Sequence, residues 1–158
     1  MHVLNPSLLI RPLLREDYTQ WRPLWDDSYN AFYGRTGSSA LPSSVIAATW
    51  ERFFDAAEEV HAIVAEDSGR IVGFAHYLFH LSTTRLQKVC LLHDLFTLES
   101  ARGRGVGTQL ILALYDIARA ADSSRVYWQT QVTNSAARAL YDKVAAALGF
   151  IVYTHDLG

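Results

Sequence analysis

The sequence predicts a mixed α/β domain in which helices flank a central, mostly antiparallel sheet, and three stretches carry that expectation. Between His61 and Leu98, three apolar runs follow one another with no helical pattern between them, which reads as an antiparallel meander. From Val106 onward, Val106, Leu110, Leu114 and Ile117 recur at spacings of three and four, with Ile111 and Ala118 beside them, so one face of a helix is apolar. Tyr18, Trp21, Leu24, Trp25, Tyr29 and Phe32 keep a helical spacing near the start of the chain.

Taken in order, Ser7 to Pro12 is a short strand, and Arg15-Glu16-Asp17 leads into the aromatic helix. Gly34, Gly37, Ser38 and Ser39 break that helix, and Leu41-Pro42-Ser43-Ser44 starts a second one through Trp50, Phe53 and Phe54. A strand from His61 to Ala65 meets the turn-rich tetrad Glu66-Asp67-Ser68-Gly69, and its partner resumes at Ile71 towards His80. Val89 to Leu98 is the third strand of the meander. After the amphipathic helix come a short strand from Val126 to Gln131, a helix from Asn134 to Ala147 and a closing strand from Gly149 to Thr154. With 158 residues and no internal repeat, low-complexity tract or charge block to mark a linker, residues 1–158 are expected to form one domain.

Composition removes several function classes. Half the residues are hydrophobic and 19% charged, enough apolar surface to offset the entropy of ordering the chain. Fourteen Lys and Arg against sixteen Asp and Glu leave a net charge of -2, which is not the basic footprint of a protein that wraps nucleic acid. Arg11, Arg15, Glu16 and Asp17 arrive before any long apolar run, so neither a signal peptide nor a membrane span is expected. The single cysteine, Cys90, reads as a small buried hydrophobe; it suits a reducing compartment, and a cytoplasmic location is the expectation. His76 and His80 share a strand, where four residues span about 13 Å, too far for one metal ion, and no metal is expected.

The strongest chemical signal is a strand ending at Leu98, a short turn, and then Arg102-Gly103-Arg104-Gly105-Val106-Gly107 running into the amphipathic helix. Without β-carbons the backbone can curl so that successive N–H groups converge at the helix N-terminus, where the dipole also favours an anion. A phosphate or pyrophosphate fits such a nest. Thr108-Gln109 follows the last glycine, so the Lys-Ser/Thr of a triphosphatase loop is missing. A single residue, Val106, separates the last two glycines, where a dinucleotide fingerprint needs two. The plain alternative is that the glycines only make a tight strand-to-helix turn.

Arg102, Gly105 and Gly107 after an apolar strand resemble the Arg-x-x-Gly-x-Gly acyl-CoA motif of the GNAT N-acetyltransferases. His93-Asp94-Leu95-Phe96-Thr97-Leu98 is similar to that family's central strand, and Asn134-x-x-Ala137-x-x-x-Tyr141 followed by Gly149-Phe150 resembles its C-terminal motif. The helix containing Trp25, Tyr29, Phe32, Tyr33 and Gly34 resembles the branch that includes yeast histone and D-amino-acid acetyltransferases. The resemblance implies a GNAT fold whose fourth and fifth strands splay apart to admit the pantetheine arm of acetyl-CoA. Leu95, Phe96 and Thr97 would then lie along that arm, with Leu95 and Thr97 pairing with its amides. Gly103 to Gly107, flanked by Arg102 and with Arg104 and Val106 inside the loop, would cradle the pyrophosphate. Thr108 at the helix start, Asn134 and Ala137 complete the implied cofactor contacts.

The chemistry so implied is direct transfer of an acetyl group from acetyl-CoA to a primary amine. An alkyl ammonium has a pKa of about 10.4, so the site has to take up or exclude its proton. His93 stands where some family members carry a glutamate base, and an imidazole of pKa about 6.5 can accept a proton near neutrality. Asp94, sent to the opposite face by strand alternation, is the reserve candidate. Both residues are equally readable as hydrogen-bonded core groups. Tyr141 matches the family's general acid, whose phenol protonates the departing thiolate; its alternative is packing beside Leu140. Asn134 can also cap its helix. Trp25, Tyr29 and Tyr33, one helical turn apart, can line an acceptor pocket or pack as core, with Asp26 nearby for a cationic amine.

Three functions therefore stand: an N-acetyltransferase, an acyl-CoA-binding sensor that has lost catalysis, and an α/β interaction domain whose glycine loop holds some other anion. The acceptor is left open among small amines, amino acids, polyamines and protein lysines. A homodimer is open too, through Phe150, Val152 and Tyr153 on the closing strand.

Overall fold

A computed structural model describes residues 5–158, which cluster into two compact units divided after Trp128. In the first unit, strands β1 (Leu8–Pro12), β2 (Val60–Asp67), β3 (Arg70–His80), β4 (Val89–Thr97) and β5 (Val126–Tyr127) form one sheet in sequence order. The first three junctions are antiparallel and the last, β4 to β5, is parallel. The β2–β3 hairpin closes through Ser68 and Gly69, both at positive φ (52° and 82°), a two-residue turn whose twist matches that of the strands it joins. The strands run closer to the turn than the tetrad suggests, because Asp67 and Arg70 still pair across it.

The aromatic segment is helical from Tyr18 to Phe32, though not as one regular helix. Helix α1 (Tyr18–Arg22) gives way to a π-helical stretch (Pro23–Tyr29) before a last turn, α2 (Asn30–Phe32). Pro23 opens the wide stretch, and it has no N–H to donate to the preceding turn. Trp21, Trp25 and Tyr29 all face the interior, with the Trp21 and Trp25 rings stacked 5.1 Å apart. Helix α3 (Ser43–Arg52) starts after Pro42, as the sequence suggests, and brings Trp50 against Trp21 at 5.0 Å. Asp17, buried at the head of α1, accepts two hydrogen bonds from Arg11 of β1 and one from the Leu14 N–H. Burial disfavours its charge, yet those donors hold its pKa below the ordinary value.

Helix α4 (Val106–Ala120) buries Val106, Leu110, Ile111, Leu114 and Ala118, the stripe read from the sequence together with its neighbours. It approaches the sheet at Gly73 of β3. A β-carbon there would lie 2.9 Å from the Phe96 carbonyl oxygen and 2.9 Å from Val106 Cγ1. Glycine at this position sets how closely the helix carrying the glycine loop can pack on β3 and β4.

In the second unit, helix α5 (Ser135–Val144) is capped by Asn134, whose side chain accepts the Ala137 N–H at 3.4 Å, as expected. Several sequence expectations are cut back: α3 ends at Arg52 rather than Phe54, and α5 at Val144 rather than Ala147. β5 stops at Tyr127 instead of reaching Gln131, and residues 149–154 form no strand; Phe150, Ile151, Val152 and Tyr153 are exposed there. An extended segment becomes a strand only when a partner takes its N–H and C=O groups, and no registered pairing among the described residues includes this one. No described helix is long and apolar enough to cross a membrane.

Gly73→Ala should lower stability by about 1–3 kcal/mol, because one of the atoms in the way is backbone and cannot rotate aside. Thermal unfolding followed by circular dichroism would register this as a fall of several degrees in Tm, whereas an unchanged Tm would mean that helix and sheet separate freely.

Candidate active site

β4 changes its manners halfway along. Cys90 sends its N–H to Arg125 O on the β5 side, while Leu98 sends its N–H to Val72 O on the β3 side. Both numbers are even, and strict alternation would point both the same way. The reversal comes from a bulge: His76 pairs with Asp94 and Tyr77 with Leu92, leaving His93 as the extra residue. Beyond it, Phe96 faces β3, so the backbones of Leu95 and Thr97 face the β5 side. There the registered pairing has already ended at Leu91↔Tyr127, so β4 and β5 are splayed as expected. The Thr97 carbonyl accepts a hydrogen bond from Arg102 Nε at 3.2 Å.

The same bulge corrects one expectation. Alternation would send Asp94 to the face opposite His93, but the extra residue breaks that alternation and His93 Nδ1 lies 3.0 Å from Asp94 Oδ1. Asp94 is 9% exposed and accepts two further bonds, from the Tyr29 hydroxyl at 2.7 Å and from His76 Nδ1 at 2.8 Å. Burial alone would raise its pKa, but the hydrogen bonds from His76 and His93 outweigh that and hold the carboxyl ionised, well below the usual range. Burial and the Asp94 charge push the Tyr29 phenol far up, so it stays a donor.

Partner chemistry sets the tautomers. The Trp21 indole, which can only donate, reaches His76 Nε2 at 3.0 Å, so His76 is neutral in this arrangement and presents Nδ1–H to Asp94. His93 likewise gives Nδ1–H to Asp94, leaving Nε2 for chemistry on a side chain that is 62% exposed. The hydrogen bond to Asp94 raises the His93 pKa against partial burial and against the positive charge of Arg35. A carboxylate that fixes an imidazole's tautomer and strengthens it as a base is a recurrent catalytic device.

Below β4, Gly103 and Gly105 adopt positive φ (78° and 79°), and Gly105 is the N-cap of α4. No side chain caps this helix and no acidic residue lies in its first turn, so its leading N–H groups are available to an anion. A β-carbon on Gly103 would meet nothing within 4 Å; its conformation, not space, calls for glycine. Arg102 and Arg104 are exposed, Arg102 lying 5.9 Å from the Phe96 ring centroid. Val106 points into the core, so within the loop its side chain serves packing.

Of the acceptor candidates, Tyr29 and Tyr33 stand 5.0 Å apart ring to ring, and Tyr29 is bonded to Asp94. Trp25 is buried, and its indole N–H is a donor without a partner among the described residues. His76 and Trp21 are the members the sequence did not disclose. The sign of their role is that His76 lies opposite Asp94 in the hairpin register, which becomes readable only once the bulge is placed. His80 is engaged with Tyr127 and the Leu81 carbonyl. Cys90 is fully buried, and burial pushes its thiol up to about 12, so it remains protonated and unreactive. Among the described residues no group of three His, Cys, Asp or Glu could hold a metal ion. In the second unit, Tyr141 and Ala137 are half-buried on α5, four residues apart.

Residues 14–146 match the model of the "Acetyltransferase (GNAT) family". The chain is 32% identical over 156 residues to the D-amino-acid N-acetyltransferase HPA3 of Saccharomyces cerevisiae, covering 98% of this chain and 94% of that one. It is 31% identical over 134 residues to the uncharacterized N-acetyltransferase YhfO of Bacillus subtilis, covering 85% and 86%. Among solved structures, the aminoglycoside acetyltransferase AAC(6')-Iy bound to a CoA-containing bisubstrate analogue superposes with a TM-score of 0.78 at 19% identity, covering 94% of this chain and 97% of that one, a likeness of fold. With its glycine loop at the head of α4 and its strands splayed beside it, the chain belongs to the GNAT family of N-acetyltransferases, which use acetyl-CoA.

Proposed function

We propose that residues 1–158 act as one N-acetyltransferase domain in which His93 is the general base, Tyr141 the general acid, and a small amine-bearing molecule the acceptor. The observation that carries the reading is the His93–Asp94 pair: an exposed imidazole on the strand beside the splay, its tautomer set by a buried carboxylate. The family match runs through both compact units, which supports a single working domain.

The residues fit the coenzyme on two observations of the fold, an uncapped glycine-rich helix start and a strand edge with no registered partner from 92 to 97. Leu95 and Thr97 would offer backbone groups to pantetheine, with Phe96 between them. Gly103, Gly105 and Gly107 would hold pyrophosphate with the N–H groups at the helix start, Thr108 beside them and Arg102 and Arg104 adding charge. Asn134 and Ala137 are assigned to the same ligand from the motif they share with Tyr141. Bound there, acetyl-CoA supplies a thioester carbonyl as electrophile.

His93 Nε2 takes the proton that the acceptor amine loses as its nitrogen forms the new C–N bond. Asp94 stabilises the resulting imidazolium without itself being protonated, and so acts as a positioning residue. Tyr141 delivers a proton to the sulfur as the C–S bond breaks. Trp25, Tyr29 and Tyr33 form the acceptor wall. The products are an N-acetylated acceptor and free coenzyme A. Likeness to a yeast enzyme named for D-amino acids supports a free amino acid as acceptor.

Tyr141→Phe should lower kcat by about 100-fold while leaving the acetyl-CoA Kd unchanged, since general acids contribute about 10²–10⁴-fold. In contrast, Gly105→Glu should abolish calorimetric binding, as it puts a β-carbon at φ 79° and a negative charge in the anion nest. Equal loss of binding in both variants would contradict these roles.

pH dependence tests the base. Because Asp94 raises the His93 pKa, the imidazolium persists to higher pH than in a free histidine, and activity should rise as pH passes through that raised value. In Asp94→Asn the anion is gone, so the acid limb of kcat/KM should move to lower pH while the plateau falls. A profile that keeps the wild-type limb would remove His93 from the mechanism.

A further inference from the structure

The arginines described here divide by the partners they bond. Arg11 bonds Asp17 and Glu66, Arg15 bonds Glu51, and Arg119 bonds Asp116, each a carboxylate partner. The bonds of Arg35, like those of Arg22, Arg85, Arg102 and Arg138, go to neutral groups, but Arg35 alone of these is held by a buried side-chain amide. Its Nη1 donates to Asn30 Oδ1 at 2.9 Å, and its guanidinium carbon lies 5.4 Å from the Tyr33 ring centroid.

An exposed arginine is ordinarily free to sweep through many rotamers, but this one is held at both ends. Its backbone N–H bonds the Asn30 carbonyl at 2.9 Å, while the Gly34 N–H bonds the Ala31 carbonyl at 3.0 Å. With Gly34 at φ 76°, these two bonds close the helix end in a Schellman cap. Asn30 is 1% exposed, and its Nδ2 donates to the Trp25 carbonyl at 2.8 Å. A buried amide therefore uses its oxygen to aim one surface guanidinium, whose other donors have no hydrogen-bond partner among the described residues.

The position of this charge matters. Two packed tyrosines link Arg35 to the His93–Asp94 pair. Tyr33, under its guanidinium, packs on Tyr29, which is bonded to Asp94. A fixed cation beside a base repels a purely cationic amine and attracts an acceptor that carries its own anion. Resting on the N-acetyltransferase reading above, we propose that Arg35 is the carboxylate anchor of the acceptor site and that it selects free α-amino acids over polyamines, aminoglycosides and lysine side chains. In an α-amino acid the carboxylate and the amine sit on one carbon, so anchoring the first on Arg35 restrains the second near His93. A guanidinium can take a carboxylate through two parallel N–H···O bonds, which fixes orientation as well as affinity.

The test uses the full chain with saturating acetyl-CoA and D- and L-phenylalanine, their methyl esters and phenethylamine, with thiol release as readout. Wild-type kcat/KM should favour at least one of the free amino acids over its ester and over the decarboxylated amine. Arg35→Gln should raise the KM for that amino acid roughly 10- to 100-fold, the range expected when hydrogen bonds to a charged group are lost. Its acetyl-CoA Kd should stay near wild type, its turnover of phenethylamine should hold or rise because the repelling cation is gone, and Arg35→Lys should restore part of the preference. Calorimetric binding of the amino acid to the protein saturated with coenzyme A should weaken in step. The proposal is overturned if wild type prefers the amine or the ester, or if Arg35→Gln depresses all acceptors equally, the signature of a purely structural role. If acetyl-CoA binds but no amine among these and a wider set of amino acids and polyamines releases thiol, the transferase reading falls first and this proposal with it.

Discussion

A carboxylate that gives up its water can stay charged only where donors replace the lost solvent, and at Asp94 three side chains do so from three directions. Tyr29 comes from the helical segment, His76 from the neighbouring strand and His93 from the adjoining position of the bulge. One buried charge thus ties the aromatic helix to the middle of the sheet, and Trp21 doubles the tie through His76. A hydrogen bond to a charged group contributes about 1.5–3 kcal/mol, more than one between neutral groups, so these elements are bound to a common geometry. The packing around them follows: Trp21 on Trp25 and Trp50, and Phe74 stacked on the His76 ring at 4.6 Å.

The bulge serves two purposes at once. It turns the His93 side chain out beside Asp94, and it reverses which backbone groups of β4 face the splay. A side-chain site and a backbone site therefore share a single irregularity in the ladder. Gly73 completes the arrangement by admitting α4 close to β3 and to the Phe96 carbonyl, which sets the height of the glycine loop relative to that edge.

The coenzyme half of the candidate site was legible because it is local. Three glycines, a preceding strand and a following amphipathic stripe lie within a short span of sequence, and each imposes its backbone conformation wherever it occurs. The acceptor half was only partly legible. Trp25, Tyr29 and Tyr33 stand out by helical spacing, but their link to Asp94 joins residues 65 positions apart. Arg35 gave no sign at all, since a lone arginine after a glycine is an ordinary loop residue until Asn30 is seen holding it.

Acting alone, the sequence determined the order of strands and helices as far as α5, a hairpin turn within Glu66 to Gly69, the Asn134 cap and the glycine-rich start of α4, all consequences of local backbone preference and apolar periodicity. Tertiary structure decided the rest. Pairing β3 with β4 placed His76 opposite Asp94 and left His93 as the extra residue, against the simple alternation that would have separated His93 from Asp94. It also decided which extended segments became strands: Val126 and Tyr127 found β4, while 149–154, no less apolar, have no registered partner among the described residues. Strand formation and hydrogen-bonded charge networks need groups supplied by distant parts of the chain, and only the folded chain brings them together.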